Sequence, residues 1–222
     1  PLYSSAASDV YKRQILTTWF HEMGHGLTGL LFGYDFERLI IYSSGSGVAE
    51  SSYLGRPSAL ANAAVSAGGP LAPSAIGSLL ILTSSRERFR RPALAALAGI
   101  IVLSVLIWVR SLVGVIVLPL VAATLAAIAW KAGPGLARFT LQFLGLLAAL
   151  SMFRDWDYLF SQSTVIGGQP MLSDTGAIEE ALWLPYWMWA IAIIVLSGLM
   201  VGVSLKYALA EEGSGVRRFP LR

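Results

Sequence analysis

Long apolar runs broken by short polar joints dominate this chain. Six runs stand out, at about 15–34, 57–84, 92–109, 111–130, 134–154 and 184–208. A bilayer core of roughly 30 Å takes about 20 helical residues to cross, and most of the runs reach that length. We therefore expect an all-α polytopic membrane protein with about six transmembrane helices. The third and fourth runs are parted only by Arg110 and Ser111, which predicts a tight hairpin or, failing that, one long broken helix. Pro92, Pro134 and Pro185 each fall near a helix start, where a missing N–H costs little. Trp183, Trp187 and Trp189 gather at the start of the sixth run, as in an interfacial aromatic belt.

Two stretches outside the runs carry a different pattern. Residues 36–53, FERLIIYSSGSGVAESSY, hold a β-like run from Leu39 to Tyr42, a Gly/Ser turn and a second short strand, which predicts a small hairpin after the first helix. Residues 155–183 form the longest joint and read as a loop rich in acids: Asp155, Asp157, Asp174, Glu179 and Glu180.

Composition sharpens the membrane reading. Only 13% of the residues are charged and the mean hydropathy is +0.65, about half the charge of an ordinary soluble domain. With no cysteine, disulfides and thiolate metal sites are excluded. The first 14 residues, PLYSSAASDVYKRQ, are small and polar and stop abruptly at Ile15. We read 1–14 as a non-native leader, 15–210 as a single transmembrane domain and 211–222 as a cytoplasmic tail. On that reading the natural start of the first helix is missing.

Charge placement predicts an orientation. With the N-terminus in the cytoplasm, ten Lys/Arg fall in cytoplasmic segments: Arg86, Arg88, Arg90, Arg91, Lys131, Arg138, Lys206, Arg217, Arg218 and Arg222. Four fall opposite: Arg38, Arg56, Arg110 and Arg154. The positive-inside rule then puts both termini in the cytoplasm, and we expect a multi-pass protein of the bacterial cytoplasmic membrane. The basic RERFRR at 86–91 is a short joint between two membrane segments, so no nucleic-acid partner is expected.

The chemistry concentrates in the first run. Both histidines of the chain lie in WFHEMGHG, His21 and His25, four residues apart with Glu22 beside the first. On a helix, i and i+4 share a face, so two imidazoles can bind one tetrahedral metal ion and Glu22 can act as general base on water at that ion. An HExxH can arise by accident. Ionisable side chains inside an apolar helix are expensive, however, and usually functional. A bound zinc ion would supply hydroxide near neutral pH.

Two histidines leave one ligand to find, because a catalytic zinc site has three protein ligands and an open position. With no third histidine it must be a carboxylate. Glu50 follows a Gly/Ser turn and is a weak candidate. Asp155, the first acid after the fifth run, is another. Asp157 and Asp174 remain alternatives, although Ser173 or Asp174 could instead cap a short helix. In the orientation above, His25 lies about 12 Å inside the non-cytoplasmic end of its helix, and the fifth run ends at Asp155 on that same side.

These pieces together resemble the site-2-protease class of intramembrane metallopeptidases, the M50 family, and most closely its M50B-like branch. The resemblance rests on HEMGH, LLFGYDFERLIIY, AGGP at 67–70, FRDWDYL and SDTGAIEEALWLP, and spans most of residues 15–190. It implies zinc ligation by His21 and His25, catalysis by Glu22 and a third carboxylate ligand late in the chain. Matching FRDWDYL to the family's late Asp segment points to Asp155. Many site-2 proteases carry that ligand before a glycine, and this chain has no Asp-Gly pair. The expected function is zinc-dependent hydrolysis of peptide bonds within or next to the bilayer, on a transmembrane or membrane-proximal protein substrate. A metal-binding scaffold or an ion transporter with a relic HExxH is the alternative. A transporter would more often show repeats and polar groups spread over several helices.

Overall fold

The first helix, α1 (Leu2–Leu31), carries the histidine motif and stops at Gly33, whose φ of 82° a side chain would resist. The computed structural model describes residues 2–216, with side chains described outside 2–13, 152–154 and 211–216. The leader expected at 1–14 and the tail expected at 211–222 lie almost wholly outside the side chains described.

A hairpin follows α1, as expected. Strands β1 (Asp35–Ile41) and β2 (Gly47–Ser52) pair antiparallel, with Leu39 opposite Ala49 and Ile41 opposite Gly47. The hairpin is held at both ends. Its turn is tied to α1 where the Thr18 hydroxyl donates to the Gly45 carbonyl at 2.6 Å. Its outer edge, on β1, is tied to the turn between the third and fourth membrane segments. There Leu39 N–H donates to the Trp108 carbonyl at 2.8 Å and Arg110 N–H to the Leu39 carbonyl at 2.9 Å. Phe36 stacks on Trp108 with ring centroids 4.9 Å apart.

Helices α2 (Ala59–Ser85), α3 (Glu87–Ile107), α4 (Leu112–Lys131) and α5 (Pro134–Arg154) come next. Trp108 to Ser111 form a turn, so α3 and α4 are a hairpin and not one broken helix. The stretch expected as a loop at 155–183 is folded. It holds the single turn α6 (Trp156–Leu159), a second hairpin of β3 (Ser163–Ile166) and β4 (Gln169–Leu172), and α7 (Asp174–Leu182). The last helix is α8 (Tyr186–Val216).

The protein is an integral membrane protein built mainly of helices. Among the described residues α2, α3, α4, α5 and α8 are each long and apolar enough to cross a membrane; the first expected run, from Ile15, lies in α1. α2 is the hub, packing against α1, α5, α7 and α8. Ile15, Trp19, Leu94, Ile101, Leu118 and Leu141 are among the buried side chains of the main core. A buried Trp19 indole donates to Ser104 Oγ at 2.9 Å, joining α1 to α3. Leu106, Leu112, Leu120 and Leu199 stay exposed, as helices that face hydrocarbon require.

α2 can be the hub because small residues line it where it crosses its neighbours. An added Cβ at Gly77 would sit 2.5 Å from the Gly145 carbonyl, and one at Gly145 2.7 Å from the Gly77 carbonyl. Such backbone approach is how helices associate without a hydrophobic drive between them. Gly145→Ala is expected to lower the unfolding temperature in detergent, at a cost of roughly 1–3 kcal/mol from overpacking. Gly99→Ala, whose Cβ meets nothing within 4 Å, should leave it unchanged or slightly raised.

Candidate metal centre

His21 and His25 project from one face of α1, and their Nε2 atoms lie 3.1 Å apart. The turn of α1 alone produces this pairing. What the chain adds is a means of aiming the rings. The Val65 carbonyl on α2 sits 2.8 Å from His25 Nδ1. A carbonyl only accepts, so Nδ1 carries a proton and Nε2 faces the cleft.

AGGP at 67–70 makes room for this arrangement. A Cβ at Gly69 would lie 2.1 Å from His25 Nε2, and one at Gly68 2.3 Å from Thr28 Oγ1. The glycines of the motif are likewise used for packing. Gly24 abuts the Gly68 carbonyl, and Gly26 abuts the Phe36 ring.

The third group arrives from α7. Asp174 Oδ2 is 3.0 Å from His21 Nε2, and Oδ1 is 3.2 Å from His25 Nε2. Ser173 is the helix cap, its Oγ accepting from Gly176 N–H at 3.0 Å. The Asp174 carboxylate is thereby left free of capping and turned inward. It is buried, and its two oxygens face the imidazole nitrogens. Burial alone would raise this carboxyl. The imidazoles of His25 and His21 outweigh that effect and hold it below the usual carboxylate range.

The other expected acids sit elsewhere. Asp155 caps the end of α5 and lines a neighbouring cavity of about 230 Å³ together with Thr18, His21 and Glu22. Asp157 is exposed on α6. Glu50 is engaged by Arg38, whose Nε donates to it at 2.7 Å on the outer face of the hairpin.

His21, His25 and Asp174 could hold a metal ion. A tetrahedral ion about 2.0–2.1 Å from each donor separates the donors by about 3.3–3.4 Å. The two Nε2 atoms, 3.1 Å apart, are within a few tenths of that, and each faces one oxygen of the Asp174 carboxylate, at 3.0 Å from His21 and 3.2 Å from His25. The donor chemistry, two imidazoles and one carboxylate, suits zinc.

Glu22 completes the centre. It is buried, receives a hydrogen bond from the Ala49 amide of β2, and has Gly47 packed against its stem. The cleft over it has a volume of about 260 Å³. β2 forms one wall from Gly47 to Ser51, and Ile166, Met171 and Leu172 of the second hairpin form the other. The hairpins meet where Gly167 approaches the Tyr42 ring. Tyr158 lines both cavities, its ring edge-on to His21 at 6.3 Å. Burial, reinforced by the nearby Asp174 and Glu22, pushes the Tyr158 phenol well above its ordinary value.

Neither this second hairpin nor Tyr158 was anticipated from the sequence. The hairpin had a signal: a Gly-Gly pair between STVI and QPML, the pattern of a two-residue turn with both φ positive. Gly167 and Gly168 have φ of 59° and 81°.

The Peptidase M50B-like family matches residues 7–204, most of the chain. The chain belongs to that family. The match supports a membrane metallopeptidase of the site-2 protease type, and the M50 peptidases are zinc metalloproteases. No curated protein and no solved structure matches the chain.

A methyl group at position 69 would occupy the space of the His25 imidazole. Gly69→Ala is therefore expected to reduce metal retention more than tenfold, read as zinc per chain after dialysis, on the scale of a disturbed ligand orientation. The helical signal in circular dichroism should persist.

Proposed function

We propose that this protein is a membrane-embedded zinc peptidase that hydrolyses peptide bonds within or beside the bilayer. His21, His25 and Asp174 are the ligands and Glu22 is the catalytic base. The observation that carries the reading is the convergence of both Nε2 atoms, 3.1 Å apart, on the Asp174 carboxylate, whose Oδ2 lies 3.0 Å from His21 and whose Oδ1 lies 3.2 Å from His25, with Glu22 in the same cleft. That convergence favours Asp174 over Asp155 and Asp157 as the third ligand.

Zinc, when bound, supplies a Lewis acid that polarises the scissile carbonyl and acidifies water. The chain's own groups do the rest. Glu22 takes a proton from the attacking water and returns it to the amine as the peptide C–N bond breaks. Its burial beside β2 holds it in line with the ligands. The two hairpins flank the approach to these groups.

A transmembrane substrate must first expose its peptide bonds, since in a helix every one is paired internally. β2 offers a place to hold such a segment. One of its edges is paired with β1, while its Gly47 to Ser51 face lines the cleft. A substrate strand added along that edge would lie across Glu22.

The proposed setting is the bacterial cytoplasmic membrane with both termini inside, a reading that rests on the Lys/Arg placement. The bond between β1 and the α3–α4 turn places residues 35–41 and 108–111 at one end of the bundle, as the alternation of spans requires.

Glu22→Gln should keep zinc and lose cleavage of a model transmembrane substrate by at least about a thousandfold. Asp174→Asn and His25→Ala should lose zinc, while Asp155→Asn and Asp157→Asn keep it. Zinc retained in Asp174→Asn but lost in Asp155→Asn would reassign the ligand. Zinc-loaded protein with full cleavage in Glu22→Gln would defeat the peptidase mechanism. For the β2 edge, Ser51→Pro removes a backbone donor and should slow cleavage about tenfold with zinc content unchanged; an unchanged rate would remove strand addition from the account.

A further inference from the structure

FRDWDYL and SDTGAIEE lie apart in the chain but form one hydrogen-bonded unit in space. Four hydrogen bonds join the start of SDTGAIEE to Tyr158 and Leu159 of FRDWDYL and to Ser161 and Gln162 just beyond it. Ser173 N–H donates to the Gln162 carbonyl at 3.1 Å, and Ser173 Oγ donates to the Ser161 carbonyl. Asp174 N–H donates to the Tyr158 hydroxyl at 3.1 Å. Thr175 Oγ1 donates to the Leu159 carbonyl at 2.8 Å. Ser173, Thr175 and Leu159 are at most 1% exposed, and Gly176 leaves no space for a Cβ against the Gln162 carbonyl. The first turn of α7 is thus held on both sides of Asp174, by Ser161 and Gln162 through Ser173 and by Leu159 of α6 through Thr175.

Most of these contacts fix the helix end in general. One is aimed at the ligand residue itself. The Asp174 amide is among the N–H groups that a helix start leaves without an internal partner, and the half-buried Tyr158 phenol is what satisfies it. The same phenol is packed edge-on to His21 and lines the cleft with Glu22. It therefore touches the backbone of one ligand and the ring of another.

We propose that Tyr158 is a positioning residue: it sets the Asp174 carboxylate against His21 and His25 and so determines how tightly the centre holds its ion. FRDWDYL then contributes a tyrosine to the site where its two aspartates are the more conspicuous candidates. The proposal rests on the reading of His21, His25 and Asp174 as a metal site. Groups that orient metal ligands typically change metal affinity 10- to 100-fold when removed.

Tyr158→Phe is the test, because it keeps the ring and removes only the hydroxyl. Zinc affinity is measured by competition with a chromogenic chelator, and the site is loaded separately with Co²⁺ to read its d–d absorption. The expected result is a 10- to 100-fold weaker zinc affinity and an altered cobalt spectrum. The metal-free thermal midpoint should match that of the parent, and cleavage should recover towards the parent rate at saturating zinc. Affinity within twofold of the parent would overturn the proposal. Lost cleavage with unchanged affinity would also overturn it, pointing to a hydrogen bond to substrate instead. A matching fall in the metal-free midpoint would reduce Tyr158 to a packing role and overturn it as well. If the parent protein binds neither zinc nor cobalt, the metal-site reading itself fails, an outcome distinct from any result on Tyr158→Phe.

Discussion

Two imidazoles and two carboxylates have been packed into the interior of an apolar protein, and that is costly unless they share a counter-charge. His21, Glu22, His25 and Asp174 are buried or nearly so, and the two Asp174 oxygens face the imidazole nitrogens. In water such a carboxylate would be solvated. Here its nearby polar company is the pair of Nε2 atoms. A cation shared among the three donors resolves this cost. The rest of the structure then reads as what is needed to build that place. Glycines bring α2 close to α1, Val65 aims His25, and the α6–α7 clamp delivers Asp174.

The two strand pairs have a different task. Backbone that is neither helical nor closed into a barrel is tolerated at membrane depth only where protein or a water-lined cavity receives it. β1 meets that requirement through β2 on one side and the α3–α4 turn on the other. β2 is left with its second edge on the cleft. The second hairpin closes the opposite wall with apolar side chains. On the proposed function, the two hairpins thus flank the hydrolytic site.

Much of this was legible in the sequence. Hydropathy marked the spans because hydrocarbon imposes length and composition directly. The i, i+4 histidines announced their shared face because helical geometry is local. The β1–β2 hairpin showed through its alternation and its Gly/Ser turn, although β1 begins at Asp35 rather than Leu39. The third acidic partner was harder to see. Asp174 is far from His25 in the chain, and Ser173 and Asp174 looked interchangeable as caps. Only the fold shows that Ser173 takes the cap and releases its neighbour. Asp155 attracted notice as the first acid after an apolar run, yet it lines the adjoining cavity. AGGP looked like generic packing; its second glycine stands against a histidine ring.

The central claim is that one zinc ion is held by the two histidines of α1 and the aspartate at the start of α7. Zinc K-edge X-ray absorption on the detergent-purified protein tests it most directly. The account expects one zinc per chain, two imidazole nitrogens at about 2.0–2.1 Å and oxygen ligands at about 2.0–2.2 Å, with Asp174→Asn abolishing the bound zinc. A protein that purifies without zinc and takes up none, or a bound zinc whose spectrum shows fewer than two imidazoles, would contradict it.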